Sequence, residues 1–188
     1  MSAGAVPFED CVIRPVRAQE WKAAKALRLT ALRDPVAHLA YLETYEEAAS
    51  RPDAYWRERT ANGAEGASGV RQFIAEAGDG SWVGNVVVLI EEAGSTDWAG
   101  LPVERRQGRL VGVYVAPGHR GSGPAEALFE AAVEWAWGRG AECVRLIVHP
   151  ENARALGFYR EAGFVESGVT VPLADRPQER ELELVLGR

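Results

Sequence analysis

The stretch Val113–Ala125 holds the residues whose types and spacing most clearly suggest binding chemistry. A run typical of a strand leads into a turn that contains Gly121 and Gly123, and a helical pattern follows from Pro124. Glycine lets backbone N–H groups approach a ligand closely, and the start of a helix adds unpaired N–H groups and a positive dipole end. Arg120 adds a guanidinium with several donors beside them. The turn is therefore predicted to bind a phosphate or pyrophosphate.

Two common phosphate-binding motifs do not fit this turn. The Walker pattern requires a lysine after the glycines, and no lysine follows them here. The dinucleotide pattern G-x-G-x-x-G fails as well, because Glu126 stands where its last glycine belongs. A nucleotide-binding protein is disfavoured for these reasons.

The segment Arg120–Ala125 resembles the Arg/Gln-x-x-Gly-x-Gly/Ala signature of the GCN5-related N-acetyltransferase (GNAT) family. A second segment, Asn152–Phe164, resembles the downstream pattern Asn-x-x-Ala-x-x-x-Tyr-x-x-x-Gly-Phe of the same family, and one predicted helix and one predicted strand separate the two. The segments Ile13–Pro15 and Leu27–Leu29 are also typical of the family. The resemblance is strongest over residues 109–164.

The resemblance implies acetyl-CoA as the cosubstrate, a primary amine as the acceptor and direct transfer in a ternary complex. It implies that Tyr159 is the general acid for the leaving thiolate, and that a backbone N–H within Val113–Val115 binds the developing oxyanion. Because proline has no N–H, Pro124 leaves the turn with one hydrogen-bond donor fewer. Weaker or slightly shifted cosubstrate binding is therefore expected. The residues expected to contact acetyl-CoA are Val113, Tyr114, Val115, Arg120, Gly121, Ser122, Gly123, Pro124, Ala125, Asn152 and Tyr159.

Structural roles remain open for several of these residues. Asn152 is a favoured residue at a helix N-cap, and it can cap a helix and also contact the cosubstrate. Tyr159 could be a core aromatic residue beside Phe158, and Arg120 could be a solvated surface residue.

The general base is left open by the sequence. Glu91 and Glu92 end a predicted strand before a long loop, and His149 follows the strand expected to flank the cleft. Each of them could equally be a solvated strand end. In that case water alone would take the proton of the amine.

The acceptor is also left open, with a small-molecule amine as the first interpretation. The alternatives are a protein or peptide N-acetyltransferase and a non-catalytic acyl-CoA-binding module. In the family the acceptor pocket is shaped by the regions that correspond roughly to residues 32–56 and 94–108. Aromatic and acidic residues there would suit a cationic amine, whereas they could equally form core and a solvated face. These residues are Tyr41, Tyr45, Tyr55, Trp56, Trp98, Glu43, Glu46 and Glu47.

Hydrophobic periodicity predicts the elements that must position these residues. Strands are predicted at Cys11–Val16, Arg71–Ala77, Ser81–Ile90, Arg109–Val115, Glu142–His149, Gly163–Glu166 and Glu181–Leu186. Helices are predicted at Ala18–Leu32, Arg51–Thr60, Pro124–Gly138 and Asn152–Ala162. His38–Ala48 is ambiguous. The fold class is thus α/β of the α+β kind, with a mixed, mostly antiparallel twisted GNAT-like sheet of about seven strands flanked by about four helices.

Length and composition predict one globular domain over residues 1–188, with 47% hydrophobic and 26% charged residues. The net charge of −6 disfavours non-specific nucleic-acid binding. No signal peptide and no apolar run of ~20 residues is visible, so a cytoplasmic protein without a membrane segment is expected. Two cysteines and three widely spaced histidines predict neither a disulfide framework nor a metal site. Dimers are common in the family, which leaves a homodimer open.

Overall fold

A computed structural model describes residues 10–97, 99–173 and 175–188. The strands are β1 (Val12–Pro15), β2 (Val70–Glu76), β3 (Trp82–Glu91), β4 (Gln107–Val115), β5 (Cys143–Val148), β6 (Val165–Pro172) and β7 (Arg180–Gly187). The helices are α1 (Trp21–Leu32), α2 (Ala37–Ala40), α3 (Tyr45–Ser50), α4 (Asp53–Asn62), α5 (Pro124–Gly138) and α6 (Ala153–Glu161). None of the described helices has both the length and the apolar character needed to span a membrane.

One seven-stranded sheet runs in the order β1-β2-β3-β4-β5-β7-β6. All neighbouring strands are antiparallel except β4 and β5, which are parallel. The predicted mixed, mostly antiparallel sheet of about seven strands is confirmed. Strand β6 is longer than the predicted Gly163–Glu166, because it continues past an irregularity at Gly168, where φ is +88°.

The described residues form six α-helices rather than about four, because the ambiguous segment His38–Ala48 contains α2 and the start of α3. Helix α3 begins with a capping box. The Thr44 hydroxyl accepts a hydrogen bond from the Glu47 N–H at 3.2 Å, and the Glu47 carboxylate accepts one from the Thr44 N–H at 2.8 Å. The spacing of Thr44 and Glu47 is visible in the sequence and signals a helix start.

Helix α5 covers the central strands and supplies much of the core. Leu128, Ala132 and Ala136 are fully buried, as the apolar face predicted for this helix requires. The helix lies so close to β4 that a Cβ atom on Gly108 would meet the Ala136 Cβ at 3.0 Å. This close packing fixes the start of α5, and the turn before it, relative to the sheet.

Strands β4 and β5 pair over only three residues, from Gln107–Cys143 to Arg109–Arg145. Beyond that point β4 continues along β3, whereas β5 continues along β7. A bulge in β4 increases the divergence, because Val111 and Tyr114 are three residues apart but face Val87 and Asn85, which are two apart. The sheet therefore splits between its fourth and fifth strands.

A buried ionic cluster lies at the closed end of the split. Arg109 is fully buried, and its guanidinium lies 2.8 Å from Glu91, 2.9 Å from Asp97 and 3.4 Å from Glu183. Glu183 also accepts a hydrogen bond from Arg145 at 2.6 Å. Because these residues belong to β3, β4, β5, β7 and the loop after β3, the cluster joins both halves of the sheet below the split.

The bulge in β4 depends on Gly112, whose φ is +62°. A Cβ there meets only Val87 Cγ2 at 4.0 Å, so the backbone conformation rather than a clash sets the cost of a side chain. We expect Gly112→Ala to lower the free energy of unfolding by about 1–2 kcal/mol, because L-residues with a side chain disfavour this region.

Urea unfolding of Gly112→Ala and Gly69→Ala measures this effect. Gly69 has no positive φ, and a Cβ added to it would have nothing within 4 Å, so its alanine variant should be neutral or slightly stabilised. Equal stability of the two variants would show that the bulge imposes no conformational demand.

Candidate active site

Two cavities occupy the split between β4 and β5 and meet inside it. The turn-side cavity, of about 460 Å³, is lined by the turn before α5, the start of α6 and the end of β4. The inner cavity, of about 280 Å³, is lined by α1, the segment 39–43, α4, the middle of β4 and β5, and β7. The residues that line both are Ala40, Tyr41, Val113, Asn152 and Tyr159.

The glycines of the turn have conformations that other residues rarely adopt, as the predicted approach of backbone N–H groups to a ligand requires. Gly121 has φ +73° and Gly123 has φ +109°, and Gly123 is the N-cap of α5 with Pro124 as its first residue. Among the described residues no acceptor receives a hydrogen bond from the backbone N–H of Gly121, Ser122 or Gly123. The Ser122 hydroxyl donates to the His119 carbonyl oxygen at 2.7 Å and thereby shapes the turn.

Two further N–H groups, those of Ala125 and Glu126, lie in the first turn of α5, where a helix provides no acceptor of its own. Pro124 removes one N–H from this set, and its side chain is buried. Of these residues Gly121, Ala125 and Glu126 line the turn-side cavity, at the positive end of a helix dipole, whereas Ser122, Gly123 and Pro124 do not line it.

Arg120 is held by two protein acceptors. Its Nε donates to the Val115 carbonyl oxygen at 2.8 Å, and its Nη2 donates to Asp34 Oδ2 at 2.5 Å. Burial would raise the pKa of Asp34, but the Val36 N–H and Arg120 lower that pKa below its usual value. Asp34 lies just beyond the predicted helix Ala18–Leu32, and its role as the partner of Arg120 comes from the tertiary structure.

The bulge brings backbone carbonyl groups of β4 to the split, and side chains bind two of them. Asn85 Nδ2 donates to the Gly112 oxygen at 2.6 Å, and the Tyr41 hydroxyl donates to the Val113 oxygen at 2.8 Å. Tyr114, whose pKa is raised by burial, packs against Leu27 of α1 and lines the turn-side cavity.

Tyr159 stands where the two cavities meet. Its ring stacks on Phe129 with centroids 5.4 Å apart, and burial raises the pKa of its hydroxyl to about 12. The phenol therefore keeps its proton at neutral pH and can act as a donor. Asn152, at the N-cap of α6, accepts a hydrogen bond from the Ala155 N–H at 3.4 Å, so it has the capping role and also lines the split.

Charged side chains line the inner cavity. Arg28 bonds to Glu43 at 3.2 Å and its guanidinium lies 4.5 Å from the centroid of the Tyr41 ring. Burial, followed by the charge of Arg59, lowers the pKa of Arg28. Glu181, at the start of β7, has a pKa raised by burial, although His149 and Arg176 oppose that shift. Within the described part of the chain, Glu181 forms no ion pair.

The three residues that the sequence offered as bases lie elsewhere. Glu91 belongs to the ionic cluster with Arg109, and the half-exposed Glu92 lies 3.2 Å from Arg106. His149 is buried, with Nδ1 accepting from the Glu151 N–H and Nε2 3.2 Å from Glu179. None of the three is among the residues that line either cavity. The sequence did not single out Glu181 as a candidate base. The alternating pattern of its strand indicates only that one face of the strand is polar.

Of the residues considered for the acceptor region, Tyr41 and Glu43 line the inner cavity. Tyr45, Tyr55 and Trp56 pack in a separate apolar cluster with Leu32 and Ala48, and Glu46 and Glu47 are exposed. Trp98 lies outside the described residues. The loop before β4 was expected to shape the acceptor pocket, but it packs at the closed end of the split, where Asp97 meets Arg109.

Two curated relatives share part of this sequence. Streptothricin acetyltransferase of Streptomyces lavendulae is 32% identical over 112 residues, which is 57% of this chain and 53% of the relative. An uncharacterized N-acetyltransferase of Methanocaldococcus jannaschii is 36% identical over 73 residues, which is 39% of this chain and 32% of the relative. The matches thus span about half and one third of these relatives.

Solved structures share the fold. A GCN5-related N-acetyltransferase from Kribbella flavida superposes with a TM-score of 0.67 at 18% identity, covering 96% of this chain and 99% of that one. Nourseothricin acetyltransferase gives a TM-score of 0.53 at 31% identity, covering 66% of this chain and 69% of that one. The family model described as acetyltransferase (GNAT) family matches residues 26–164. The chain belongs to the GNAT acetyltransferase family.

Proposed function

We propose that this protein transfers the acetyl group of acetyl-CoA to a primary amine in a ternary complex. The observation that carries the proposal is the meeting of two cavities at Tyr159, one with a turn of unpaired N–H donors and the other with charged side chains. Acetyl-CoA bound in the turn-side cavity would place its thioester carbonyl at the junction. The amine would approach that carbonyl from the inner cavity. Family membership and the relative named streptothricin acetyltransferase support the reaction class.

The turn-side cavity suits the pyrophosphate and pantetheine parts of acetyl-CoA. The N–H groups of Gly121, Ser122 and Gly123 and the first turn of α5 would bind the pyrophosphate oxygens. Arg120 and Arg154, which both line this cavity, would add positive charge. The pantetheine arm would run along the end of β4 towards Val113.

A thermal shift assay with acetyl-CoA, CoA and ATP tests this part of the proposal. A ligand at about 100 times its Kd stabilises the folded state by about 2.7 kcal/mol, which corresponds to an increase in Tm of about 5–10 °C. We expect both CoA species to raise the Tm and ATP to leave it unchanged. A shift with ATP alone, or with none of the three, would contradict the assignment of the cleft.

We assign Glu181 as the general base. A primary amine with a pKa near ~10.4 is almost entirely protonated at neutral pH, so a group in the inner cavity must accept its proton, directly or through water. Glu181 lines that cavity, forms no ion pair within the described residues, and has a pKa that burial raises towards the working range of a base. The amine nitrogen then attacks the carbonyl carbon as the C–S bond breaks.

The pH dependence of kcat/KM tests Glu181. The base works only when deprotonated, so the rate should rise with pH through a limb that lies above the usual carboxylate range, because the pKa is raised. We expect Glu181→Gln to remove this limb and to lower the rate by about 10²–10⁴. Glu92→Gln, at an exposed strand end, is the matched control, and an unchanged limb in Glu181→Gln would refute the assignment.

Tyr159 is proposed as the general acid that protonates the sulfur of CoA. Its hydroxyl stays protonated because burial raises its pKa to about 12. The backbone N–H groups of Val113–Val115 are the proposed donors to the carbonyl oxygen as it gains charge, and one such donor can contribute ~10²–10³ in rate.

Removal of the Tyr159 hydroxyl separates catalysis from binding. We expect Tyr159→Phe to lower kcat by about 10²-fold or more with nearly unchanged affinity for acetyl-CoA, since the ring still packs on Phe129. Steady-state kinetics and calorimetric binding of CoA measure the two quantities. Tyr45→Phe, outside both cavities, is the control, and wild-type turnover across the pH range in Tyr159→Phe would exclude the role.

A further inference from the structure

A small buried cavity between α1, α4 and the adjoining strands shares lining residues with the inner cavity. This second space, of about 20 Å³, is lined by residues that include Trp56, Arg59, Arg28, Thr60 and Gln72. Arg28 and Arg59 line both spaces, so their guanidinium groups stand between them. Its volume is enough for about one water-sized group.

Unused hydrogen-bond donors collect at this place. The Trp56 side chain is 1% exposed, and its indole N–H has no acceptor within the described residues. Buried N–H groups are nearly always paired, so an unpaired one beside a cavity of this size points to a bound water or a single ligand atom as its acceptor. Thr60, which is also 1% exposed, adds a hydroxyl to the same wall.

The two arginines that line the inner cavity, Arg28 and Arg59, differ in how they are paired. Glu43 is shared by Arg28 and Arg51, whose Nε lies 2.7 Å from its carboxylate. Arg59 donates to the Tyr55 hydroxyl at 3.3 Å, and no carboxylate within the described chain pairs with it. Burial, followed by the charge of Arg59, lowers the pKa of Arg28 although Glu43 is bonded to it. Glu181 also lines this cavity.

We propose that the acceptor carries a carboxylate in addition to its amine, and that Arg59 and Arg28, which line the inner cavity, bind the carboxylate while the amine faces Glu181 and Tyr159. This inference rests on the proposed acetyl transfer and names the substrate class for the same site. Guanidinium groups match carboxylates in geometry, and they repel a second ammonium group. A polyamine or another polycationic acceptor is therefore disfavoured, although the acidic and aromatic residues in the sequence would suit a cationic amine.

The proposal is tested with pairs of candidate substrates that differ only in the carboxylate. Initial rates of CoA release are measured for the L-amino acids and β-alanine, each beside its carboxamide, and for spermidine. We expect the preferred acid to have a kcat/KM about 10–100-fold above that of its carboxamide, as the loss of one charged hydrogen-bonding group predicts. A carboxamide or spermidine that reacts as well as the acids would overturn the proposal.

Variants of two arginines on α4 test whether Arg59 causes the preference for the acid. Arg59→Gln should raise KM for the acid without changing kcat, and should leave the kinetics of the carboxamide unchanged. Arg57→Gln is the matched control, because Arg57 is exposed, stacks on Trp21 at 4.9 Å and lines neither space. An Arg59→Gln enzyme that keeps the preference for the acid would remove Arg59 from the site.

A binding measurement separates failure of this inference from failure of the proposed function. In the presence of CoA, an N-acetyl amino acid should raise the Tm more than its N-acetyl carboxamide, and Arg59→Gln should abolish the difference. A Tm that rises with CoA but does not distinguish the two products would overturn the carboxylate site alone. No response to CoA would overturn the proposed function, and the carboxylate site with it.

Discussion

The short parallel pairing of β4 with β5 is the constraint on which the rest of this structure depends. Three residue pairs hold the strands together, and beyond Arg109 each strand follows a different neighbour. The bulge at Gly112 turns β4 further away. The residues assigned to the proposed reaction lie along or beside the opening that results, where β4 borders a cavity rather than a paired strand.

The two ends of the split use charge in different ways. At the closed end Arg109 is surrounded by carboxylates, and breaking such a buried cluster by removing one partner typically costs about 3–5 kcal/mol. Glu91, one of the bases that the sequence left open, belongs to that arrangement. At the open end the donors of the turn and the carboxylate of Glu181 remain available to ligands.

Burial raises the pKa of both the proposed acid, Tyr159, and the proposed base, Glu181. The shift brings the carboxylate closer to an amine proton in basicity, whereas it keeps the phenol protonated and makes it a weaker acid. The acidic partner of Arg120, Asp34, has a lowered pKa and remains charged, so it holds the guanidinium at the mouth of the turn-side cavity. Differences in burial and pairing therefore separate the groups that exchange protons from those that position substrates.

Local patterns in the sequence determined the strands, the apolar face of α5, the capping role of Asn152 and the glycine turn, because each depends on residues only a few positions apart. The sequence also carried the Thr44 and Glu47 signal of α3, although the hydrophobic periodicity of that segment was ambiguous. Only the tertiary structure decided which charged residues meet. Glu181 is far along the chain from Tyr41, and Asp34 from Arg120, yet each pair shares a cavity wall. Such neighbours are set by strand order and by the split in the sheet, and no local periodicity encodes either of them.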